Sequence, residues 1–342
     1  MRKKGAMKAA AAMLTAAGAA ASLASCSRAE SGSGTNAGRP HFNKNTRIEA
    51  VKDDPAFGGW GRLIFPADGY FYSGSMLKDL KLIWYTNIDP DKTVEICNYF
   101  YDQAKAGKQI FYDIYNKREK SLDPAKEDTG IFFFRGDPGN KTAIISPGGG
   151  FAYVGAMQDS FPVALELSKM GYNAVSVIYR PDERTACEDL SRTIAWLVEN
   201  AETLGIDMRD YSLWGGSAGA RMTDIVGTYG TAVFGEKDCP RPAAVITQYT
   251  GLSEVTGMEP PTYANVGTSD PIADWRTMQR RIRRINANGT DAEIEIFRGL
   301  SHGFGLGTGT DAEGWVGHAA EFWEKHMTTE SLPLCRGKLN DQ

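Results

Sequence analysis

The segment "YSLWGGSAGARM", at residues 211–222, places one serine among small residues. It contains the pattern Gly215-x-Ser217-x-Gly219, directly after an apolar run and directly before a helical pattern. A turn this tight between a strand and a helix needs neighbours almost without side chains, and it exposes the serine hydroxyl above the sheet edge. The pattern predicts a nucleophilic serine, Ser217. The alternative is a structural turn in which Ser217 caps the helix.

A run of three glycines, in "PGGGF" at 147–151, follows another apolar run, "TAIIS". Successive glycines let backbone N–H groups approach a substrate oxygen, so we expect Gly149 or Gly150 to form an oxyanion hole together with the amide of Ala218. A phosphate-binding loop is the alternative, but the G-x-G-x-x-G spacing and the P-loop lysine are both missing. Phe151 and Tyr153, just beyond the glycines, are candidates for the acyl pocket or for the core.

Four histidines are available as a general base for the serine. His302 lies in "GLSHGFG", a glycine-rich loop after the last predicted strand, which is where a base would meet a serine at the carboxyl edge of a sheet. His41 lies in a polar segment near the N-terminus, and His318 and His326 lie in the last helical pattern. We therefore predict His302 as the base, with an ordinary surface histidine as the alternative.

Two aspartates compete for the acid that would orient this histidine. Asp270, in "GTSDP", follows the predicted strand "TYANV" and gives the order serine, aspartate, histidine. Asp270 could instead cap a helix, since Pro271 suits a first helical position. Asp274 is the rival acid, and its alternative is a charge in the first helical turn. Asp270 is favoured because it lies nearer the strand end.

Strands and helices alternate from about residue 130 onward. Predicted strands lie at 131–134, 142–146, 173–179, 211–214, 243–249, 262–266 and 292–297, and predicted helices at 160–170, 184–204, 218–229, 273–287 and 313–327. This alternation predicts an α/β fold with a mostly parallel sheet covered by helices on both faces, and a site at the carboxyl ends of its strands.

The stretch 46–125 lacks this regularity and is predicted to form an N-terminal extension or a cap over a pocket. Its helical spacing runs through "TVEICNYFYDQAKAGKQIFYDIYNKRE", with capping oxygens from Asp91 and Thr93. We place the catalytic domain at 126–330 and a C-terminal tail at 331–342.

The N-terminus has the layout of an export signal. Four basic residues precede an Ala-rich apolar run that ends in "LASC" at Cys26. This ending resembles the bacterial lipobox, so we expect a signal peptide over 1–25, a lipid on Cys26, a flexible tether over 26–45 and a membrane-anchored protein in the cell envelope. A plain secretory peptide and a cytosolic Ala-rich tail are the alternatives.

Charge and cysteine content exclude some classes of function. Loss of residues 1–25 takes four of the 38 basic residues and none of the 42 acidic ones, which leaves a net charge of −8. Such an acidic chain is a poor nucleic-acid binder. The remaining cysteines are too scattered for a metal site, and they are compatible with disulfides or with buried thiols; they are Cys97, Cys187, Cys239 and Cys335.

As a set, "PGGGF", "VIYRP", "LWGGSAGAR", "GTSDP" and "SHGFG" resemble the α/β-hydrolase superfamily, in the esterase/lipase branch that holds acetyl xylan esterases and feruloyl-esterase-like enzymes. Pro147 stands where many members have histidine, which leaves the backbone donors unchanged. The resemblance covers about 130–330. It implies that Ser217 attacks an ester, that His302 takes its proton, that Asp270 orients the imidazole, and that no metal or organic cofactor is needed.

Three functions are compatible with this resemblance. The first is a carboxylesterase for short acyl groups, acetyl above all, on decorated polysaccharides or oligosaccharides. The second is a serine peptidase, which the short 46–125 stretch disfavours because prolyl-peptidase relatives carry a large propeller there. The third is a non-catalytic binding protein on the same scaffold. The first is favoured.

Overall fold

The structure is a computed structural model, and it describes residues 40–328. The predicted signal peptide, Cys26, most of the tether, Cys335 and the 331–342 tail lie outside the described residues. Within 40–328, no helix combines the length and the apolar character that a membrane crossing requires.

The described residues form ten strands and eight α-helices. The strands are β1 Tyr72–Ser73, β2 Lys81–Leu82, β3 Phe111–Tyr112, β4 Gly130–Phe134, β5 Lys141–Ser146, β6 Asn173–Ile178, β7 Asp207–Gly216, β8 Ala244–Gln248, β9 Thr262–Gly267 and β10 Ala292–Phe297. The helices are α1 Ile48–Lys52, α2 Pro90–Lys105, α3 Lys117–Leu122, α4 Ser160–Lys169, α5 Glu183–Leu204, α6 Ala218–Tyr229, α7 Trp275–Ala287 and α8 Trp315–Lys325.

Eight strands form one sheet in the order β10-β9-β8-β7-β5-β6-β4-β3. The pairs from β10 to β6 are parallel, and β4 and β3 complete the other edge in antiparallel orientation. Strands β4, β6, β8 and β9 are buried along their whole length, which explains their continuous apolar runs. The predicted α/β fold with a mostly parallel sheet is confirmed.

Helices cover both faces of this sheet with separate apolar cores. On one face, Phe161 of α4 and Phe322 of α8 are buried with the N-terminal part of the chain. On the other face, Ile194 of α5 and Met222 of α6 are buried. Each layer hides one apolar face of the sheet from water, which is the main stabilising contribution in such a fold.

The N-terminal part packs into the core of the main sheet and forms no separate cap domain. Phe100 of α2 lies 5.2 Å from Phe132 of β4 between ring centroids, and β3 extends the main sheet by pairing with β4. Phe42 is buried, and the His41 ring stacks on Tyr101 at 3.6 Å. The packed part of the chain therefore includes residues before 46. This corrects the prediction that the flexible tether extends to residue 45.

The helical stretch predicted in this part is shorter than expected. Helix α2 ends at Lys105, because Gly107 follows with a φ of 71° and turns the chain out of the helix. Its N-terminal cap is Asp89, whose carboxylate accepts the amides of Asp91 and Lys92, so the expected caps Asp91 and Thr93 were wrong.

Two of the cysteines are buried free thiols, Cys97 and Cys187. Burial raises the pKa of the Cys187 thiol to about 12, and burial also raises the pKa of Cys97. Both thiols are therefore protonated and unreactive at neutral pH. Among residues 40–328, no group of three or more His, Cys, Asp or Glu side chains could hold a metal ion.

Candidate active site

Ser217 stands in a strained turn between β7 and α6. Its φ is 54°, a left-handed value that a non-glycine residue adopts only where the surrounding structure enforces it. A Cβ on Gly215 would lie 2.4 Å from the carbonyl carbon of Gly219, and one on Gly219 would lie 1.9 Å from the Ser146 oxygen. The small residues are thus required by close backbone approach. The Ser217 side chain makes no capping hydrogen bond to α6, which the alternative of a structural turn with a serine cap would require.

A chain of two hydrogen bonds joins Ser217, His302 and Asp270. Ser217 Oγ lies 2.9 Å from His302 Nε2, and His302 Nδ1 lies 2.8 Å from Asp270 Oδ2. Both partners are secluded, since the side chains of His302 and Asp270 are 4% and 0% exposed. The three residues follow β7, β10 and β9, whose carboxyl ends meet at one edge of the parallel sheet.

The two oxygens of Asp270 have different partners. Oδ1 accepts the amides of Ile272 and Ala273 at 2.7 and 2.8 Å, which fixes the carboxylate, and Oδ2 faces the imidazole. These bonds hold the Asp270 side chain in the one orientation that reaches His302.

Asp274 caps the N-terminus of α7, a role that the sequence analysis considered for Asp270. Its carboxylate accepts the amides of Arg276 and Thr277 at the start of α7, and it is exposed. A hydrogen bond from the Thr277 hydroxyl is the main cause of the lowered pKa of Asp274. The structure therefore brings Asp270 to His302 and keeps Asp274 on the helix.

Three backbone amides at the serine are free to donate. Within 40–328, the N–H groups of Gly149, Gly150 and Ala218 have no hydrogen-bond acceptor. Gly149 and Gly150 have φ values of 124° and 62°, so the loop needs glycine at both positions. Ala218 is the first residue of α6, where the helix dipole also favours negative charge.

The serine opens into a cavity of about 270 Å³. It is lined by Trp84, Tyr85, Gly149, Gly150, Ser217, Ile272 and His302. Trp84 and Ile272 are apolar and remain 45% and 55% exposed, which is unusual for such large side chains. Ser217, His302 and the free amides of Gly149 and Gly150 therefore share one small cleft with apolar walls.

The expected pocket residues Phe151 and Tyr153 do not line this cavity. The chain turns back after the glycines, as Tyr153 N donates to Gly149 O. Tyr153 is 4% exposed, and its hydroxyl donates to the carbonyl of Ile83. Phe151 packs toward Tyr179, with ring centroids 6.4 Å apart. Both side chains therefore belong to the packing around the loop, the alternative that the sequence left open.

Trp84, Tyr85 and Ile272 were missed by sequence reasoning. Trp84 and Tyr85 lie in a stretch without periodicity or motif, so no local signal points to them. Tertiary contacts bring them in: Thr86 N donates to Gly303 O at 3.1 Å, and Thr86 Oγ1 donates to His302 O at 2.8 Å. The N-terminal part thus forms one wall of the cavity, and its hydrogen bonds hold it to the loop of His302.

A buried carboxylate, Asp159, supports the glycine loop. Its Oδ2 accepts the Gly148 amide at 2.7 Å and the Tyr85 hydroxyl at 2.6 Å, and its Oδ1 accepts the Tyr249 hydroxyl at 2.5 Å. Burial raises the pKa of Asp159, and the hydrogen bonds from the tyrosines and the amide oppose that effect. A Cβ on Gly216 would lie 2.8 Å from this carboxyl group, which explains the second glycine of the elbow.

Comparison with known families and structures gives the fold a name. The sequence model of the BD-FAE family matches residues 137–273, less than half of the chain, and this range holds the glycine loop, Ser217 and Asp270 but not His302. No curated protein matches the sequence.

Solved structures of low sequence identity share the architecture. An acetyl ester-xyloside bifunctional hydrolase from Caldicellulosiruptor lactoaceticus is 20% identical, with a TM-score of 0.55, over 63% of this chain and 95% of that one. Esterase 2 of Thermogutta terrifontis, with propionate bound, is 18% identical, with a TM-score of 0.54, over 65% and 96%. The α/β-hydrolase MGS-M1, from a Medee basin deep-sea metagenome library, is 19% identical, with a TM-score of 0.54, over 64% and 97%.

The chain therefore has the α/β-hydrolase fold, and the predicted resemblance to the esterases of that superfamily is confirmed.

Proposed function

We propose that this protein is a serine-dependent carboxylic ester hydrolase that removes short acyl groups, acetyl above all, from decorated polysaccharides or oligosaccharides. One observation carries the proposal: the hydrogen-bonded chain from Ser217 through His302 to Asp270 ends beside free backbone amides. The similar structures include an acetyl ester-xyloside bifunctional hydrolase and an esterase, which supports the same chemistry.

The geometry supports a two-step reaction through an acyl-enzyme. His302 Nε2 takes the proton of Ser217 as Oγ attacks the ester carbonyl carbon, and Asp270 stabilises the imidazolium. The amides of Gly149, Gly150 and Ala218 hold the oxyanion. The alcohol leaves with the proton from His302; water then attacks the acyl-enzyme, and the acid is released.

The size of the cavity supports a short acyl group. Its volume of about 270 Å³ lies just below the range of about 300–1,000 Å³ that is usual for pockets of drug-sized ligands. Trp84 lies against the glycine loop, since a Cβ on Gly150 would be 2.9 Å from its ring. A long acyl chain would therefore meet a wall close to the serine.

The test is a panel of substrates for the purified protein without residues 1–25. We expect hydrolysis of p-nitrophenyl acetate, release of acetate from acetylated xylan, a fall in rate with acyl chain length, and no hydrolysis of aminoacyl anilides. Ser217→Ala should lose at least about a thousandfold in rate while its melting temperature stays close to that of the parent. Parental activity in Ser217→Ala would refute the serine mechanism, and preference for anilides would point to a peptidase.

The anchor is a separate part of the proposal. The charged start, apolar run and Cys26 support export and lipid attachment to a bacterial membrane. Cys26→Ser should move the protein from the membrane fraction to the soluble fraction with its esterase activity intact. Unchanged partitioning would refute lipid attachment at Cys26.

A further inference from the structure

A second cavity lies near the serine cavity at the same edge of the sheet. It measures about 260 Å³, and its walls include Phe65 and Phe71 from the N-terminal part and Ala152 and Tyr153 from beyond the glycine loop. Ile178, the last residue of β6, and Tyr179 close its other side. Since β6 runs parallel to β5, these residues lie at the carboxyl edge that also carries Ser217.

Three aromatic rings join the two cavities, and a fourth, Tyr70, extends the series beyond Phe71; we call the four rings the aromatic row. Tyr153 stacks on Trp84 at 5.9 Å and on Phe71 at 4.7 Å, and Tyr70 lies edge-on to Phe71 at 5.3 Å. Trp84 lines the serine cavity and Phe71 lines the second cavity. The outer members, Trp84 and Tyr70, are 45% and 76% exposed. Exposed apolar groups in one patch often mark a ligand-binding surface.

The charges of the second cavity select the kind of ligand. Asp68 and Asp128 are its ionisable side chains apart from two tyrosines, and none of the described residues that line it is Lys or Arg. Asp128 is paired with Arg62, which leaves Asp68 uncompensated. Carboxylates repel anions and accept hydrogen bonds from hydroxyl groups. A neutral ring with an apolar face and several hydroxyls at its edge matches aromatic walls and acidic groups together.

We propose that the second cavity is a binding subsite for a neutral sugar ring, next to the sugar that carries the ester at Ser217. The inference rests on the proposed function, and it adds the requirement for a saccharide chain of at least two rings. The oxyanion amides place the acyl group in the serine cavity, so the row leading from Trp84 to Phe71 is available to the alcohol part of the substrate.

The test compares two substrates that share an acetyl group, p-nitrophenyl acetate and acetylated xylo-oligosaccharides. Tyr70→Ala removes an exposed ring, and Ala125→Trp fills the cavity from an exposed position in its lining. Both variants should raise KM for the oligosaccharide about tenfold, which corresponds to about 1.4 kcal/mol of binding, with kcat unchanged. Both should hydrolyse p-nitrophenyl acetate at the parental kcat/KM.

Tyr229→Ala is the matched control, because Tyr229 is 40% exposed at the far end of α6 and should change neither substrate. An unchanged KM for the oligosaccharide in both variants would overturn the subsite. A loss confined to esters of hydroxycinnamic acids with simple alcohols would overturn the sugar assignment in favour of an aromatic acyl group.

Binding without turnover separates this inference from the proposed function. Calorimetric titration of the parental protein with unacetylated xylo-oligosaccharides should show binding that Ala125→Trp weakens. If p-nitrophenyl acetate is not hydrolysed but this binding is present, the esterase proposal fails and the subsite stands. If the ester is hydrolysed and no binding is detected, the subsite fails alone.

Discussion

Asp159 Oδ2 accepts the amide of Gly148 at 2.7 Å, one residue before the glycines whose amides remain free. The same oxygen accepts the Tyr85 hydroxyl, so a residue of the N-terminal part and the glycine loop share one carboxylate. This bond fixes the start of the loop while Gly149 and Gly150 keep their donors for a ligand. Because Asp159 does not line the serine cavity, we expect it to act as a positioning residue for the glycine loop.

Asp159→Asn should lower kcat with little change in KM. An asparagine oxygen cannot accept all three donors with the strength of a carboxylate, so the loop amides would shift from the oxyanion position. Removal of one oxyanion donor costs about 10²–10³ in kcat, and we expect a tenth of that, about 10–100-fold. Steady-state kinetics with p-nitrophenyl acetate measure the effect. Tyr85→Phe, which leaves Asp159 with two donors, should lower kcat less than Asp159→Asn does. A rise in KM as large as the fall in kcat would contradict a positioning role.

The pH dependence of stability should also report on Asp159. Burial raises its pKa above the ordinary 3.8, so its contribution to stability is present at low pH and is lost as the pH rises through the raised value. In the Asp159→Asn variant the side chain cannot ionise, so the variant should not lose stability in this way as the pH rises. Urea unfolding between about pH 4 and pH 7, the range over which buried carboxyl groups commonly titrate, should show the parent losing stability relative to the variant. A parallel course of the two proteins would contradict the raised pKa.

Substitution of the two competing aspartates should separate their roles. Asp270→Asn should lower kcat by about 10⁴, the cost of a wrong imidazole tautomer in a serine triad. Asp274→Asn should leave kcat within about twofold and Asp274→Ala should cost about 1 kcal/mol of stability through the lost cap of α7. Kinetics and urea unfolding of the three variants check this. A larger kinetic loss at Asp274 would transfer the role to it.

Gly219→Ala should prevent normal folding of the elbow. The added Cβ would lie 1.9 Å from the Ser146 carbonyl oxygen, so β5 and α6 would have to separate. Gly317→Ala is the matched control, because Gly317 lies in α8 with open space around its Cβ position and alanine favours a helix by about 1 kcal/mol. Thermal unfolding should show a large loss for the first variant and no loss for the second. Equal melting temperatures would contradict the close approach.

Trp84→Ala should relax the acyl chain-length preference. The indole lies against Gly150 and is 45% exposed, so its removal enlarges the serine cavity with little change to the core. We expect the kcat/KM for p-nitrophenyl octanoate, divided by that for the acetate, to rise about tenfold. Differences in apolar contacts within a pocket commonly change specificity by about 1–3 kcal/mol, which includes a tenfold change. An unchanged ratio would show that another wall limits the acyl group.

The fold and the strand-end positions of the candidate site could be predicted from residue types and their spacing. Its apolar runs matched the buried strands because a parallel sheet covered on both faces needs them, and the glycines around Ser217 indicated a tight turn because only small residues fit there. Asp270 could not be separated from Asp274 with certainty, since both follow the same strand and both can cap a helix.

Three further features depend on tertiary packing: which aspartate faces His302, where Tyr153 and Phe151 point, and how Trp84, Tyr85 and Asp159 contact the glycine loop. Contacts between Tyr85 and Asp159 join residues 74 positions apart and leave no period or motif in the chain. Local propensity and spacing report on neighbours along the chain, whereas the walls of a cavity are set by packing between distant segments. For that reason the candidate residues at the strand ends could be predicted from the sequence, and the shape of the cavity beside them could not.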